Sequence, residues 1–320
     1  MGDDAAVVGM ISNPASGHNR NQFDAIEGRI ARSPAIHHIV TDSAADIGPA
    51  LAELAARNTG ILAINGGDGT VSATLGQMLE SGLFAQPPLV AVLPGGTANM
   101  NAGDIGIKGS LKKAVDTFCR WCETDQQVRV ARATRHLLRV RDHAGTVHHS
   151  MFLGGGAIIH GTEYAHREIH SRGLRDDFSL AIGTLRTVWG VVRDDPRFNR
   201  HVRIDLALDE GPVQSFDTLI LAVSTLQRLS FGMRPFWGEG PGAVRLTLME
   251  QHCSRFARTF LSIIRGRPNR NAVAQSGYHS HNAGRIALQL AGPLNLDGEI
   301  IQCDGEIEIT ATGPLEFLQL

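Results

Sequence analysis

Four short apolar runs in the first hundred residues constrain the fold more than any other feature of this chain. Helical patterns separate them, so strand-like and helix-like segments alternate; the runs are 7–12, 37–41, 61–65 and 89–94, and the helical patterns are 19–32, 43–57 and 70–81. Apolar runs of this length are typical of strands buried on both faces of a parallel sheet. The alternation predicts a Rossmann-like α/β domain with a parallel sheet and right-handed crossovers.

The pattern changes near residue 125. Strand-like segments separated by turns follow, with two helical patterns among them; the strands are 127–133, 136–142, 146–153, 201–208, 218–225, 243–249, 284–290 and 305–311, and the helices are 178–193 and 253–265. This pattern predicts a mostly antiparallel, β-sandwich-like second domain. We place the domains at 1–124 and 125–305, with 306–320 as a terminal strand that either ends the second sheet or returns to the first domain.

Composition excludes several classes of protein. The chain is 42% hydrophobic and 19% charged with a net charge of −2, which predicts neither disorder nor a nucleic-acid partner. It has no apolar run near 18 residues and no charged-then-apolar leader, so we expect a cytoplasmic protein without a spanning helix. Cys119 and Cys122 lie in a helical pattern without a second ligand pair, which favours two reduced thiols over a metal or redox site.

Glycine-rich loops follow three of the four apolar runs, with the sequences "ISNPASGHN", "NGGDGT" and "LPGGTANMN". Glycines let successive backbone N–H groups converge on an anion, and a helix that follows adds its positive end. Because the carboxyl ends of parallel strands share one edge of the sheet, the three loops predict one continuous nucleotide cleft. Close packing of strand and helix is the alternative reason for the glycines. The loops match neither the Walker pattern nor the dinucleotide fingerprint.

Asp68 lies inside the second of these loops. A bare carboxylate repels bound phosphate unless a magnesium ion or a proton in transfer balances it. The loop therefore favours phosphoryl-transfer chemistry over passive phosphate binding, with Asp68 as a candidate catalytic residue.

Four motifs together resemble the diacylglycerol kinase catalytic-domain family, which includes bacterial lipid kinases and sphingosine kinases. They are "NPASG" (13–17), "NGGDGT" (65–70), "PGGTAN" (94–99) and "LDGE" (296–299). NAD kinases and phosphofructokinases carry relatives of the second motif. The resemblance implies a kinase that uses ATP and Mg²⁺ to phosphorylate a hydroxyl of diacylglycerol or a related lipid.

The same resemblance implies roles for individual residues. The nucleotide would contact residues of the loops and of one neighbouring strand end, namely Asn13, Pro14, Ala15, Ser16, Gly17, Thr41, Gly66, Gly67, Asp68, Gly69, Thr70, Gly96 and Thr97. Asp297 is implied as the general base for the lipid hydroxyl, with Glu299 as its support. A second Asp-Gly-Glu at 304–306 has the simpler interpretation of a turn that opens a strand, and Asp304 is the alternative base.

The sequence departs from the family pattern at three places. Ser72-Ala73 stands where Asn-Glu is usual, and Met100-Asn101-Ala102 stands where Asp, an aromatic and a small residue are usual. Pro241-Gly242 replaces an Asp-Gly pair that is tied to a structural metal in some members. Asp104 and Glu239 are the candidates to replace the missing carboxylates.

Two other functions are compatible with the loops. A soluble-metabolite kinase of the NAD-kinase type is disfavoured because this chain contains no Asn-Glu dipeptide and because that function leaves the motif at 296–299 unexplained. A nucleotide-binding regulator without turnover would explain the three departures.

A basic segment suggests a membrane contact. Residues 251–296 contain six arginines and no acidic residue. On a helix over 253–265, arginines and Phe/Ile side chains fall on different faces. Residues 253–270 therefore fit peripheral contact with anionic headgroups at the inner membrane face, or an ordinary surface helix whose apolar face packs on the sheet.

Overall fold

The computed structural model describes residues 6–125, 130–163, 190 and 202–320. The chain divides into two compact units, one formed by Met1–Arg135 with Gly313–Leu320 and the other by His136–Thr312. The predicted boundaries fall after residues 124 and 305. The structure places them later, because strand 131–135 joins the first sheet and one strand runs continuously through residue 305.

The first unit contains a six-stranded sheet in the order β2-β1-β3-β4-β15-β5. Its strands are β1 (Val8–Ser12), β2 (Ile36–Val40), β3 (Ile61–Gly66), β4 (Leu89–Pro94), β5 (Ala131–Arg135) and β15 (Leu315–Gln319). All neighbours are parallel except β15 and β5, which are antiparallel. The predicted α/β domain is confirmed, and the chain's last strand returns to it.

Helices accompany this sheet, and they are α1 (Phe23–Ile30), α2 (Ile47–Ala56), α3 (Asp68–Ser81), α4 (Met100–Ile105) and α5 (Leu111–Arg120). Apolar side chains of α1, α5 and the strands form a shared core. Cys119 and Cys122 are buried free thiols in α5 and the π-helical turn that follows. Burial raises the pKa of the Cys122 thiol to about 12, so it stays protonated at neutral pH.

The second unit contains a sheet of nine antiparallel strands. They are β6 (Leu138–Arg141), β7 (Val147–Ser150), β8 (Phe152–Gly156), β9 (Val202–Leu208), β10 (Gln214–Ser224), β11 (Val244–Glu250), β12 (Tyr278–Ala283), β13 (Arg285–Leu296) and β14 (Glu299–Ala311). The helix α6 (Phe256–Ile264) lies between β11 and β12 in the chain. The predicted antiparallel domain is confirmed.

Strands β8 and β9 occupy one position in this sheet. Both pair with β10 on one side and with β13 on the other. Gly156, the last residue of β8, lies opposite Ile220 of β10, and Val202, the first residue of β9, lies opposite Thr218 of β10. The chain leaves the sheet at Gly156, whose φ is 66°, and returns at Val202. Residues 157–163 are helical. The predicted helix over 178–193 lies outside the described residues, except for residue 190.

Several predicted elements differ from the structure. The helix expected over 19–32 becomes a 3-10 turn at Asn19–Asn21 followed by α1, because the N–H groups of His18 and Asn19 bind the carbonyl of Gly95. The strand expected over 146–153 divides into β7 and β8. The second Asp-Gly-Glu, at 304–306, is not a turn that opens a strand; it lies inside β14, paired with residues 289–291 of β13.

No helix among the described residues is long and apolar enough to cross a bilayer.

Candidate functional site

Three loops begin at the same level of the first sheet. Ser12 pairs with Asn65 across β1 and β3, and Gly66 pairs with Pro94 across β3 and β4. The N–H of Asn13 donates to the carbonyl of Asn65 at 2.9 Å, and the N–H of His18 donates to the carbonyl of Gly95 at 2.9 Å. The loops after β1, β3 and β4 therefore meet at the carboxyl edge of the sheet, as the sequence predicts.

Glycines allow these loops to approach one another closely. A Cβ at Gly96 would lie 2.5 Å from the Cα of Gly67, and one at Gly17 would lie 2.8 Å from the backbone nitrogen of Thr97. A Cβ at Gly95 would lie 2.9 Å from the backbone nitrogen of Gly66. Since real Cβ atoms are not found at such distances from backbone, these glycines are needed for loop packing.

Gly69 is different. A Cβ at Gly69 would meet nothing within 4 Å, although the residue lies in the first turn of the 14-residue helix α3. The N–H groups of Gly69 and Thr70 lack acceptors within the helix. The first intrahelical bond of this turn runs from the N–H of Val71 to the carbonyl of Gly67. Free N–H groups beside open space at a helix N-terminus fit an anionic group such as phosphate.

Polar side chains tie the loops together. Nδ2 of Asn13 donates to Oγ1 of Thr70 at 3.0 Å, and Oγ of Ser16 accepts from the N–H of Gly67 at 3.1 Å. Nδ2 of Asn19 donates to the carbonyl of Asn13 at 2.8 Å. Asn13, Ser16 and Thr70, to which the family resemblance gives a role in nucleotide binding, therefore hold the loops in place.

Asp68 is buried and bonded at both carboxylate oxygens. Oδ2 accepts from the N–H of Met100 at 3.1 Å, and Oδ1 accepts from the N–H of Asn101 at 2.9 Å. The side chain therefore caps the N-terminus of α4, which begins 32 residues later. Burial raises the pKa of Asp68, and these two hydrogen bonds oppose the shift.

Burial limits how Asp68 could serve a magnesium ion, because the residue is only 7% exposed. Among the described residues, no three His, Cys, Asp or Glu side chains gather closely enough to hold a metal. Water molecules and phosphate oxygens of a nucleotide would then have to supply most ligands of a magnesium ion, which is usual for Mg²⁺.

A buried polar chain lies beneath the loop after β1. Oγ of Ser12 is 2.8 Å from Nε2 of His38 and accepts from Nδ2 of Asn65 at 3.2 Å. Thr41, which the family resemblance implies near the nucleotide, donates its N–H to the carbonyl of Ser12 and is only 2% exposed. Burial lowers the pKa of His38 to about 4, so the ring is neutral at pH 7. This chain fixes the ends of β1, β2 and β3 together.

Sequence reasoning missed several residues of this site. Asn99 adopts a left-handed conformation with a φ of 47°, and its side chain accepts from the N–H of Gly96 at 2.9 Å. Asn19 and His38 carry no motif of their own. The buried Oδ1 atoms of Asn19, Asn65 and Asn101 have no partner among the described residues. A signal was available for Asn99, since asparagine tolerates positive φ and ends the "PGGTAN" motif.

Asp297 lies in the second unit, in the two-residue turn between β13 and β14. Its φ is 48° and that of Gly298 is 98°, as the Asp-Gly pair of a type I′ turn requires. Oδ2 accepts from the N–H of Met151 at 2.8 Å, and Oδ1 accepts from the N–H of Phe152 at 3.0 Å. The carboxylate is thereby held in one orientation while the residue stays partly exposed.

The two residues considered beside Asp297 lie on β14. Glu299 is the first residue of β14, opposite Leu296, and is exposed. Asp304 lies in the middle of the same strand, opposite Ala291, and is also exposed. The turn therefore distinguishes Asp297 from Asp304 by its fixed hydrogen bonds.

The structure gives contacts for one departure from the family pattern and for both candidate replacement carboxylates. Oδ2 of Asp104 pairs with Nε of Arg135 at 2.8 Å, and the Asp104 side chain is 2% exposed. A Cβ at Gly242 would collide with the carbonyl carbon of Ala283, so Pro241-Gly242 packs directly on β12. Glu239 is exposed, and its carbonyl accepts from the N–H of Asn282 at 3.3 Å.

Comparison with known proteins gives a match to one family model and to several solved structures. Residues 7–131 match the family model described as the diacylglycerol kinase catalytic domain. No curated protein sequence matches the chain. A solved structure of a diacylglycerol kinase from Bacillus anthracis str. Sterne aligns with a TM-score of 0.60 at 14% identity, covering 99% of this chain and 98% of that one.

Two other solved structures from that organism align over similar lengths. One has a TM-score of 0.62 at 15% identity and covers 97% of this chain and 95% of that one; the other has a TM-score of 0.63 at 14% identity and covers 100% and 99%. At this identity the alignments show a shared fold. Residues 7–131 thus match the diacylglycerol kinase catalytic domain, as the motifs predict, and the whole chain has the fold of the three solved structures.

Proposed function

We propose that this protein is an ATP-dependent lipid kinase that transfers the γ-phosphate to a hydroxyl of diacylglycerol or a related lipid. The observation that carries the proposal is the first turn of α3, where free N–H groups border open space at Gly69, inside the segment that matches the family model. Lipid acceptor, nucleotide and metal are all parts of the proposal.

The loops of the first unit would bind and orient the phosphates of the nucleotide. ATP, with Mg²⁺, supplies the phosphoryl group and neutralises part of its charge. The backbone N–H groups of Gly69 and Thr70 would donate to phosphate oxygens, and the positive end of α3 would favour the negative charge. Asp68 would act chiefly by fixing α4 and the loop that precedes it, since both of its oxygens bond to that helix.

We propose Asp297 as the general base and Glu299 as a supporting carboxylate. A base must hold its oxygen in a defined direction to receive the proton of the acceptor hydroxyl. The N–H groups of Met151 and Phe152 hold the carboxylate of Asp297 in this way. The proton would pass from the lipid hydroxyl to Asp297 as that oxygen bonds to the γ-phosphorus, while the bond between the γ-phosphorus and the bridging oxygen breaks and ADP leaves.

A nucleotide-binding regulator without turnover is a second candidate, and one contact favours it. Asp104 was the nearest replacement for the acidic residue expected at Met100, but its carboxylate pairs with Arg135. The regulator would bind ATP and transfer nothing.

One experiment separates these functions. Purified protein is incubated with Mg²⁺ and γ-labelled ATP, and diacylglycerol, a sphingoid base, a polyprenol and NAD are offered in detergent micelles. We expect label in an extracted lipid, and none with Asp297→Asn, which controls for contaminating kinases. Label in NAD alone would establish a metabolite kinase. ATP binding without label in any acceptor would contradict the proposal and support the regulator.

A further inference from the structure

The amphipathic helix expected over 253–265 does not present its apolar face to solvent. It is α6, and its side chains Phe260 and Ile263 are buried against Met249 and Tyr278. Apolar side chains that already pack in a protein core cannot insert into a membrane. The helix therefore matches the surface-helix alternative, and any lipid contact must come from side chains that remain exposed.

An exposed aromatic residue lies at a nearby turn. Phe231 is 59% exposed and forms the apex of a tight turn over residues 229–233, closed by an N–H···O bond from Leu229 to Met233 at 2.8 Å. Its φ is 58° and its ψ is 20°. This left-handed conformation is unfavourable for a bulky side chain, and exposure of a phenyl ring to water is unfavourable as well. Folding of the unit gives no reason for a phenylalanine at this position.

The turn lies against the C-terminal end of α6. The N–H of Arg234 donates to the carbonyl of Ile264 at 2.9 Å. A Cβ at Gly266 would lie 3.0 Å from the Cβ of Arg234, so the Arg234 side chain covers Gly266. On α6 itself, Leu261 is 38% exposed and lies between Arg258 and Arg265 on one helical face. Exposed apolar groups and arginines thus share one surface.

The two segments that form this surface carry side-chain charge of one sign. Residues 226–238 and 251–296 contain no Asp or Glu. Arg285 alone among their arginines forms a salt bridge, with Glu308, within the described part of the chain. The remaining ones are all exposed, and they are Arg228, Arg234, Arg255, Arg258, Arg265, Arg267 and Arg270. Side chains that carry uncompensated positive charge beside an exposed phenyl ring match the chemistry of an anionic bilayer surface.

We propose that Phe231 and Leu261, with Arg234, Arg258, Arg265 and Arg267, form a docking surface for anionic phospholipid membranes. The phenyl ring enters the headgroup region, and the arginines bind lipid phosphates. The left-handed turn holds the ring away from the protein core. This surface goes beyond the proposed function, because it would bind membranes whether or not the protein transfers phosphate.

The test is flotation of the full chain, without nucleotide, with vesicles of phosphatidylcholine alone or with about 30 mol% phosphatidylglycerol. We expect binding only to the anionic vesicles, and loss of most of it at about 0.5 M NaCl. Phe231→Asn should weaken partitioning by about tenfold. Asparagine tolerates positive φ, so this variant should fold at least as stably as the parent.

The charge is tested separately with Arg265→Gln/Arg267→Gln, which should weaken binding by about fivefold for each charge removed. Matched controls are Val213→Asn, which removes another exposed apolar side chain, and Arg285→Gln, which removes the arginine paired with Glu308. Both controls should bind like the parent.

Three results would overturn the proposal. The first is no binding to anionic vesicles at about 0.1 M NaCl. The second is binding that Phe231→Asn and the double arginine variant leave unchanged. The third is binding of duplex DNA that depends on the arginines, without any binding of vesicles, which would identify a nucleic-acid surface. Failure here leaves the labelled-ATP assay in micelles unaffected, so the two proposals can fail independently.

Discussion

The carboxylates of Asp68 and Asp297 form the same kind of hydrogen bonds with different consequences. Each accepts two neighbouring backbone N–H groups, one on each oxygen. Asp68 is 7% exposed and caps a helix in the same unit, whereas Asp297 is partly exposed in a hairpin turn. A carboxylate within a motif can therefore stabilise the fold, as Asp68 does by capping α4, or be held by the fold in a partly exposed turn, as Asp297 is. We infer that Asp68 holds the loops of the first unit in place and that the hairpin turn presents the carboxylate of Asp297 at its surface.

The largest expected effect is a loss of phosphoryl-transfer rate when the proposed base, Asp297, is replaced. Asp297→Asn should reduce the rate of phosphoryl transfer at saturating ATP by about a thousandfold, because an amide cannot take the proton. Asparagine keeps the positive φ and one hydrogen-bond acceptor, so ATP affinity and thermal stability should change little. Initial rates with labelled ATP and the identified acceptor measure the effect.

Asp304→Asn is the matched control for this substitution. It removes a carboxylate of the second Asp-Gly-Glu motif, from an exposed position within β14. We expect near-normal rates. Normal turnover in Asp297→Asn, with loss of activity in Asp304→Asn, would reverse the assignment of the base.

The next effect is on stability. Asp68→Ala leaves the N–H groups of Met100 and Asn101 without their acceptors and should lower the free energy of unfolding by about 2–3 kcal/mol. Activity should be lost as well, because α4 and the loop before it lose their anchor. Urea denaturation followed by circular dichroism measures the first effect, and the transfer assay measures the second.

Asp297→Asn serves as the comparison for stability, with an expected loss below about 1 kcal/mol. If Asp68→Ala unfolded at the same urea concentration as Asp297→Asn, the inference that Asp68 stabilises the fold more than Asp297 does would be wrong.

The sequence predicts the first four strands of the first unit and the loops that follow them well, because each depends on a local pattern. The run at 61–65 becomes β3 (Ile61–Gly66), and the run at 89–94 becomes β4 (Leu89–Pro94). The helix predicted from residue 70 begins at Asp68, since Gly67 serves as its N-cap. Apolar runs and glycines are visible in sequence at the positions where they act.

The rest depends on contacts between distant residues. Helix α4 has six residues and relies on Asp68 for its cap, so no local pattern announces it. Strand β12, with the sequence "YHSHNA", lacks apolar alternation and forms through pairing with β11. The second Asp-Gly-Glu looks like a turn, but the pairing of β13 with β14 keeps it within a strand.

The smallest expected effect is a pH dependence of the first unit's stability. The pKa of His38 falls from 6.5 to about 4 on folding, so the unfolded chain binds this proton more readily. Stability contributed by His38 is therefore present above pH 6.5 and is lost as pH falls towards 4. We expect a loss of about 2 kcal/mol after allowance for the ring's partial exposure.

Denaturation of the parent and of His38→Gln between pH 7 and 4 measures this effect. The variant should show a smaller decrease. Asp68 has the opposite effect on stability as pH falls. Its raised pKa makes the folded state bind a proton more readily than the unfolded state, which favours folding at lower pH. If the free energy of unfolding fell equally with pH in the parent and in the variant, His38 would not be the cause of the pH dependence.

The central claim is that the first turn of α3 binds nucleotide phosphate, and titration calorimetry with Mg·ATP on Gly69→Ala tests it most directly. The protein itself has room for this methyl group, and alanine favours a helix, so the variant should be at least as stable as the parent. We predict ATP binding weakened by tenfold or more, because the methyl group would meet the phosphates. Gly28→Ala in α1, where the added Cβ also meets nothing within 4 Å, should bind ATP like the parent. Unchanged ATP affinity in Gly69→Ala would contradict the claim.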